Sequence, residues 1–271
     1  MYQFFSPVLD RNYKVYHLAY EGIDSHEAVI TRFNLKDDKL ENRDFVRIEV
    51  TPVNWNQLGK TFKISDWDYG EDEEETLPDW YETEKAKKAI FKVLKKIYKT
   101  QFLFDLQLKE LPSPIIRFIK NTEIKVLTEN QKILRMEGSS IVRWMEGSSV
   151  VEEMGGSSVV GEMRGSSVVG EMRDSSVVEV MEDSSVVGEM RGPSRVREMR
   201  DSSVVEEMKD SSVVEVMEDS SRVERMRGLS VVEAMEDSSI VEVMEDLSMV
   251  KGMEDSSVVK KKEDNASTCW F

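Results

Sequence analysis

Methionine recurs at every ninth position of this chain from Met136 to Met253 and marks fourteen consecutive units. With methionine numbered as position 1, position 5 is serine and position 7 is valine in every unit, and position 3 is glycine or aspartate. A fixed period means that each unit meets the same environment, which is typical of repeat architectures. The array therefore predicts a solenoid, in which stacked units share one continuous core.

The residues of the unit favour strand over helix. Nine residues make about 2.5 helical turns, so successive methionines on a helix would point to opposite sides. Eleven of the fourteen units carry a Gly/Asp-Ser-Ser cluster, and most units have adjacent β-branched residues after it, which favours a turn and then a strand. We expect positions 2 to 4 to form the turn, because glycine or aspartate at position 3 tolerates a positive φ, and positions 5 to 8 to form the strand.

Positions 1, 5 and 7 are predicted to face the interior, with serine and valine on one face of the strand and methionine filling the corner. Stacked serine hydroxyls are expected to hydrogen-bond along the ladder. A coil could hold two units (18 residues, a flat roll) or three (27 residues, a triangular prism), and the small interior side chains favour 18. That choice would gather four cations on one edge: Arg173, Arg191, Lys209 and Arg227.

The array also sets the domain organisation. We predict a mainly β protein with a small α+β domain over residues 1–100, capping strands and atypical first coils over 101–135, regular repeats over 136–261 and a C-terminal tail or cap over 262–271. In the atypical coils, Phe118 and Leu127 are expected at position 1, and Ser113 and Ile115 are candidates for an earlier unit. The charged Lys260-Lys261-Lys262 run closes the array, since terminal repeats need polar outer ends.

The first domain is predicted from shorter signals. Strands are expected at Tyr2–Leu9, Tyr13–Tyr20, Glu27–Leu35, Asp44–Val50 and Lys60–Ile64. A helix is expected from about Trp80 to Lys99, with a capping box of Asp79 and Glu82. Its predicted apolar stripe consists of Ala86, Ile90, Val93, Leu94 and Ile97.

Two groups in the first domain admit a functional or a structural interpretation. The run Glu71-Asp72-Glu73-Glu74-Glu75 could bind a cation or a basic partner, although a charge run is more often a solvated loop. The aromatic residues could line a carbohydrate or peptide site, although they more often form the core of a small domain: Trp55, Trp67, Tyr69, Trp80 and Tyr81.

Charge and composition exclude several classes of function. The net charge is −16, of which −13 falls after Thr100, and this argues against a broad electrostatic grip on nucleic acid. The single cysteine, Cys269, cannot form an internal disulfide or a cysteine-based zinc site. We expect no signal peptide, no membrane span and a cytoplasmic or virion-associated protein. His17 and His26 are the only histidines, there is no phosphate-binding glycine motif, and neither enzyme activity nor a cofactor or metal is expected.

The unit Met136-Glu-Gly-Ser-Ser-Ile-Val-Arg-Trp144 resembles repeat arrays of uncharacterised bacterial and bacteriophage-encoded proteins, and Leu77-Pro-Asp-Trp-Tyr81 resembles their leader domain. This resemblance implies a β-solenoid and no established activity. The unit length is also similar to that of calcium-binding β-rolls, but their Gly-Gly-x-Gly-x-Asp loop is missing, so aspartate at position 3 is interpreted as a turn former. A more distant likeness is to pentapeptide-repeat proteins, whose acidic rods are similar to DNA.

Three functions follow as hypotheses. The leading one is a non-enzymatic structural or interaction protein that self-associates or binds a protein partner, with small-molecule ligands unknown. It depends on position 6, which should face outward as an apolar ladder. An acidic DNA mimic is the alternative, and a solenoid carbohydrate-active enzyme ranks last. The candidate interaction ladder is Val150, Val159, Val168, Val177, Val186, Val204 and Val213.

Overall fold

The protein is described from a computed structural model that covers residues 5–36, 43–71, 76–263 and 265–269. The chain divides into two compact units, Met1–Phe102 and Leu103–Phe271. The first is a small α+β unit and the second is a β-solenoid, so the protein is mainly β.

The first unit contains a four-stranded antiparallel sheet with the order β2-β1-β3-β4. Its strands are β1 (Val8–Asp10), β2 (Val15–Tyr16), β3 (Phe45–Pro52) and β4 (Trp67–Glu71). The α-helices are α1 (His26–Arg32) and α2 (Thr83–Gln101), and short 3-10 helices span Ala19–Glu21, Trp55–Gln57 and Ile64–Asp66.

Helix α2 matches its predicted apolar stripe except at Val93, which is only partly buried. It begins at Thr83, and its N-cap residue Glu82 makes no side-chain capping hydrogen bond, so the predicted start and capping box are wrong. The cause is the Tyr13 hydroxyl, which donates to the Trp80 carbonyl at 2.9 Å and accepts from the Glu82 N–H at 2.8 Å. These two bonds hold the preceding residues outside the helix.

Two of the strand predictions in this unit are wrong. The segment predicted as a strand at Glu27–Leu35 contains α1, because the Ser25 hydroxyl caps the helix by accepting from the Ala28 N–H at 3.2 Å. Lys60–Ile64 forms no strand. The strand lies later, at Trp67–Glu71, where it pairs with β3 and buries Trp67.

The second unit consists of strands β5 to β25. In chain order they are Phe102–Phe104, Gln107–Leu108, Ile115–Ile116, Phe118–Lys120, Glu123–Leu127, Lys132–Glu137, Ile141–Met145, Val150–Met154, Val159–Met163, Val168–Met172, Val177–Met181, Val186–Met190, Arg195–Met199, Val204–Met208, Val213–Met217, Arg222–Met226, Val231–Met235, Ile240–Met244, Met249–Val250, Val258–Lys262 and Ser267–Thr268.

Alternate units of the array fall on opposite sheets. One sheet runs from β24 through the even-numbered strands to β5, with β7 paired to β10, and the other runs from β25 through the odd-numbered strands to β6. All pairings between successive coils are parallel, with Val150 opposite Val168 and Met154 opposite Met172. One coil therefore holds two units and 18 residues, as predicted, and the three-unit coil is excluded.

From Ile141 to Met244, each strand runs from position 6 to the methionine of the next unit, rather than over positions 5 to 8 as predicted. The last two units form the strands Met249–Val250 and Val258–Lys262. The turn comes before it, and position 3 has a φ between 54° and 68° in all fourteen units. Positions 1, 5 and 7 face the interior, as predicted, and are almost fully buried until the last coil, where Val259 is partly exposed. Positions 8 and 9 both stay at least partly exposed in most units, which interrupts the alternation expected of a flat strand.

The N-terminal end of the array departs from the 18-residue register, whereas the C-terminal end keeps it. Ile119, not Phe118, pairs with Met136, and Ile116, not Ile115, pairs with the inward Ile133, so both pairings span 17 residues. The shift occurs because the first turns are not regular repeats. At the other end, Ser267 and Thr268 pair with Met249 and Val250, so the coil continues beyond the lysine run.

Candidate interaction surfaces

The candidate ladder of position 6 does not form one strip. Val150, Val168, Val186 and Val204 lie on the even-numbered sheet, whereas Val159, Val177 and Val213 lie on the odd-numbered sheet. All seven are partly exposed. The ladder splits because consecutive units alternate between the sheets, so each outer face of the solenoid carries its own column of valines.

Glycine at position 8 leaves a gap in the outer surface beside these valines, because it has no side chain. On the even-numbered sheet, Gly170 and Gly188 stack and leave the backbone bare next to Val168 and Val186. On the odd-numbered sheet, Gly161 opens a shallow groove of about 490 Å³ between Arg143 and Glu179. Trp144, which contributes to its lining, donates its indole N–H to Glu162 at 3.1 Å.

The four predicted cations gather on one edge, and each lies between two glutamates. Arg173, Arg191 and Lys209 lie between glutamates of position 9, whereas Arg227 lies between Glu207 of position 9 and Glu245 of position 2. Arg191 binds Glu189 at 2.6 Å and Glu171 at 3.2 Å, and Lys209 binds Glu189 at 2.6 Å and Glu207 at 2.8 Å. Hydrogen bonding to Arg191, with further help from Lys209, holds the pKa of Glu189 below its usual range. The charges on this edge therefore alternate in sign.

The opposite edge becomes acidic towards the C-terminus. Arg200 contacts Glu198, Glu182 and, at 3.6 Å, Glu218, but the next three coils on this edge carry glutamate at position 2. Burial, with neighbouring Glu198 and Glu236 adding to it, raises the pKa of Glu218. The carboxylates of this edge are Glu218, Asp219, Glu236, Asp237, Glu254 and Asp255.

Aspartate at position 3 tolerates a positive φ, and its carboxylate also accepts a backbone hydrogen bond. The Asp174 carboxylate accepts from the Gly156 N–H at 2.9 Å, and Asp183 accepts from Gly165 at the same distance. The pattern repeats along both edges, and each of these bonds links a turn that carries aspartate to the turn one coil earlier. Among the described residues, no group of three or more His, Cys, Asp or Glu side chains could hold a metal ion.

The buried serines do not form the predicted hydroxyl ladder. Ser140 and Ser248 donate to the carbonyl three residues earlier at 2.7 Å, but the hydroxyls of the other twelve make no hydrogen bond within the described chain. Identical side chains on neighbouring strands are about 4.8 Å apart, whereas O–H···O bonds span about 2.7–2.8 Å. Stacked serines in one rotamer therefore cannot reach each other.

The candidate aromatic cluster of the first unit is divided between the core and the surface. Trp67 is buried against Phe62 and Tyr98, as the core interpretation expects. Trp55, Tyr69, Trp80 and Tyr81 are only partly buried.

The hydroxyl oxygens of Tyr69 and Tyr81 lie 2.6 Å apart, and Tyr81 donates to Glu71 at 2.9 Å. Burial raises the pKa of Tyr69 to about 12 and raises that of Tyr81 further. Asp72 to Glu75, the rest of the acidic run, lie outside the described residues.

The histidines have ordinary structural partners. The buried His26 ring places Nε2 2.9 Å from the Ile48 carbonyl, and His17 Nδ1 accepts from the Ala19 N–H at 3.3 Å.

Two surfaces were missed from the sequence. A groove of about 490 Å³ lies between β2 and α2, with Val15, Ala89 and Val93 as its apolar lining and four lysines at its rim: Lys85, Lys88, Lys92 and Lys96. The second surface is the pair Leu229 and Leu247, which are 60% and 57% exposed on neighbouring turns. Both leucines stand at position 4, which is serine in eleven of the other twelve units. The sequence alone could therefore have marked these two positions as unusual.

Comparison with known protein families, with curated proteins and with solved structures finds no match to this chain. Within the described residues, no helix combines the length and the apolar character that crossing a membrane requires.

Proposed function

We propose that this chain is a non-enzymatic interaction protein, in which the solenoid is a rigid framework for surfaces that bind a second copy or a protein partner. The observation that carries the proposal is the column of partly exposed valines on each outer face. A soluble monomer seldom leaves rows of apolar side chains uncovered. We also propose membership of the bacterial and bacteriophage-encoded group that the nine-residue unit resembles, and a cytoplasmic or virion-associated location.

The geometry of the even-numbered face supports binding to a flat surface. Val150, Val168, Val186 and Val204 extend over four coils, or about 14 Å between the first and last strands. Gly170 and Gly188 leave no side chain at position 8 beside the middle two valines. A standard interface buries about 800 Å² per partner, so the flanking glutamates of position 9 would have to lie at its rim.

The DNA-mimic alternative has less support. Mimicry needs a continuous negative stripe, and DNA carries one charge per about 1.7 Å of helix axis. The edge that holds Arg191 and Lys209 alternates in sign. The acidic edge extends over three coils, and the outer two are about 10 Å apart. This length equals only a few base pairs of DNA. A solenoid carbohydrate-active enzyme has no positive observation in its favour.

Light scattering of the purified chain up to about 200 µM tests the proposal. We expect a mass that rises with concentration, and a smaller rise for Val168→Glu/Val186→Glu at an unchanged melting temperature. The control Glu206→Lys/Glu224→Lys changes two exposed carboxylates on the same sheet and should leave association intact. A chain that stays monomeric throughout and retains no partner in a pull-down would overturn the proposal.

A further inference from the structure

We infer that the groove between β2 and α2, the basic groove, docks the exposed leucine pair Leu229 and Leu247 of a second copy of this chain. This inference rests on the proposed function and specifies one contact through which the protein self-associates. The first unit of the chain carries an apolar groove with lysines at its rim, and the second unit carries apolar leucines with acidic neighbours. The two surfaces are therefore complementary in both hydrophobicity and charge.

The basic groove offers both components. Lys88, Lys92 and Lys96 are exposed and form no ion pair with any described residue, while Lys85 binds Glu82 at 2.5 Å. Three lysines at four-residue intervals follow one side of a helix at steps of about 6 Å. Beneath them, Ala89 and Val93 are only partly buried. An occupant must therefore supply negative charge around an apolar centre.

The leucine pair has that composition. Leu229 and Leu247 are the most exposed large apolar side chains of the solenoid unit among the described residues, and they stack one coil apart, at about 4.8 Å. Ala89 and Val93 are one helical turn apart, at about 6 Å, so two neighbouring leucines match the two apolar positions of the groove. Their burial would remove two large apolar side chains from water in each copy.

Acidic side chains flank the leucine pair. Glu245 and Asp246 come directly before Leu247, and Asp210 stands at position 3 of the preceding coil on the same edge. Arg227 binds Glu245 at 2.8 Å and also attracts Asp246, but neither Asp246 nor Asp210 forms an ion pair within 4 Å among the described residues. The lysines of the groove would form these ion pairs.

The predicted contact is small, so it should be weak unless two copies pair reciprocally. A two-fold dimer would form it twice, because the groove of each copy would receive the leucines of the other. Even when it is formed twice, the contact involves few side chains, so we expect a reversible dimer with a Kd on the order of tens to hundreds of micromolar rather than a permanent complex.

The first test replaces the leucines by the residue that the repeat itself uses. Leu229→Ser/Leu247→Ser restores serine at position 4, so the fold should be kept, and sedimentation equilibrium should show association weakened at least tenfold. On the groove side, Lys88→Glu/Lys92→Glu should do the same, whereas Lys95→Glu/Lys99→Glu, on the same helix but outside the groove, should not. If the leucine variant associates like the parent chain, the inference is wrong while the proposed function stands.

A cross-link locates the contact directly. In a Cys269→Ser background, one copy carrying Ala89→Cys and a second carrying Leu247→Cys should form a mixed disulfide under mild oxidation. The pair Lys99→Cys and Leu247→Cys serves as the control and should form far less. Equal yields from the two pairs, or no association of the parent chain at 200 µM, would overturn the inference, and only the second result would also remove self-association from the proposed function.

Discussion

The Asp210 carboxylate accepts a hydrogen bond of 3.1 Å from the backbone N–H of Gly192, the residue at the same position one coil earlier. Asp210 itself has a φ of 54°, which is strained for most side chains. One residue thus supplies the left-handed turn of its own coil and satisfies a backbone donor of the previous one. This double role explains why aspartate can replace glycine at position 3 without changing the turn.

Replacing Asp210 should separate these two contributions. Asp210→Gly keeps the positive φ and loses the hydrogen bond, so we expect a loss of about 1 kcal/mol. Asp210→Ala also forces alanine into the left-handed region, which adds about 1–2 kcal/mol. Urea unfolding followed by circular dichroism measures both. The reverse change, Gly192→Asp, should be neutral or stabilising; a loss as large as that of Asp210→Ala would contradict the assignment.

The buried serines should respond in opposite directions to loss of the hydroxyl. The Ser203 hydroxyl makes no hydrogen bond within the part of the chain that the structure describes, and leaving a buried hydroxyl without a partner costs about 1–3 kcal/mol. Ser203→Ala should therefore raise the urea midpoint. Ser248 donates to the Glu245 carbonyl at 2.7 Å, so Ser248→Ala should lower it by about 1 kcal/mol in free energy. Equal losses in the two variants would show that Ser203 has a partner in solution.

Two glutamates should make the stability depend on pH with opposite signs. The lowered pKa of Glu189 means that its ion pairs stabilise the fold above the unfolded-state pKa and lose this effect as the pH falls through the folded-state pKa. The raised pKa of Glu218 means that its charge costs stability at neutral pH, a cost that disappears on acidification.

Matched glutamine variants measure these two effects. At pH 7, Glu189→Gln should be less stable than the parent by less than about 1 kcal/mol, as for other exposed ion pairs. Glu218→Gln should be more stable. Both differences should shrink as the pH falls and the glutamate in question becomes protonated, and the Glu218 difference should disappear at a higher pH than the Glu189 difference. A constant offset across the pH range would indicate a packing effect instead.

The regular part of the solenoid was predictable because every unit places the same residue types at the same buried positions. Methionine, serine and valine recur at positions 1, 5 and 7, and the structure buries all three columns. The serine hydrogen bonds were not predictable from this pattern, since they depend on a distance between coils rather than on side-chain order. The division of the valine ladder between two sheets follows from the 18-residue coil and could have been deduced from it.

The irregular parts were harder because single contacts decide them. The cap of Ser25 turns a β-rich segment into α1, and the Tyr13 hydroxyl delays the start of α2. The 17-residue pairing of Ile119 with Met136 depends on one atypical turn. Leu229 and Leu247 were visible in the sequence as departures from serine, but their exposure needed the structure.

The sharpest test of the two-faced strand compares Val187 with its neighbour Val186. Val187 is fully buried between Val169 and Val205, whereas Val186 is partly exposed on the outer face. An aspartate at the inner position would bury an unpaired charge, which is very costly, and the neighbouring coils would lose their shared core. We expect Val187→Asp to abolish cooperative thermal melting in circular dichroism and Val186→Asp to melt within a few degrees of the parent chain. The opposite result would reverse the inner and outer faces, and the valine columns would then no longer support an interaction surface.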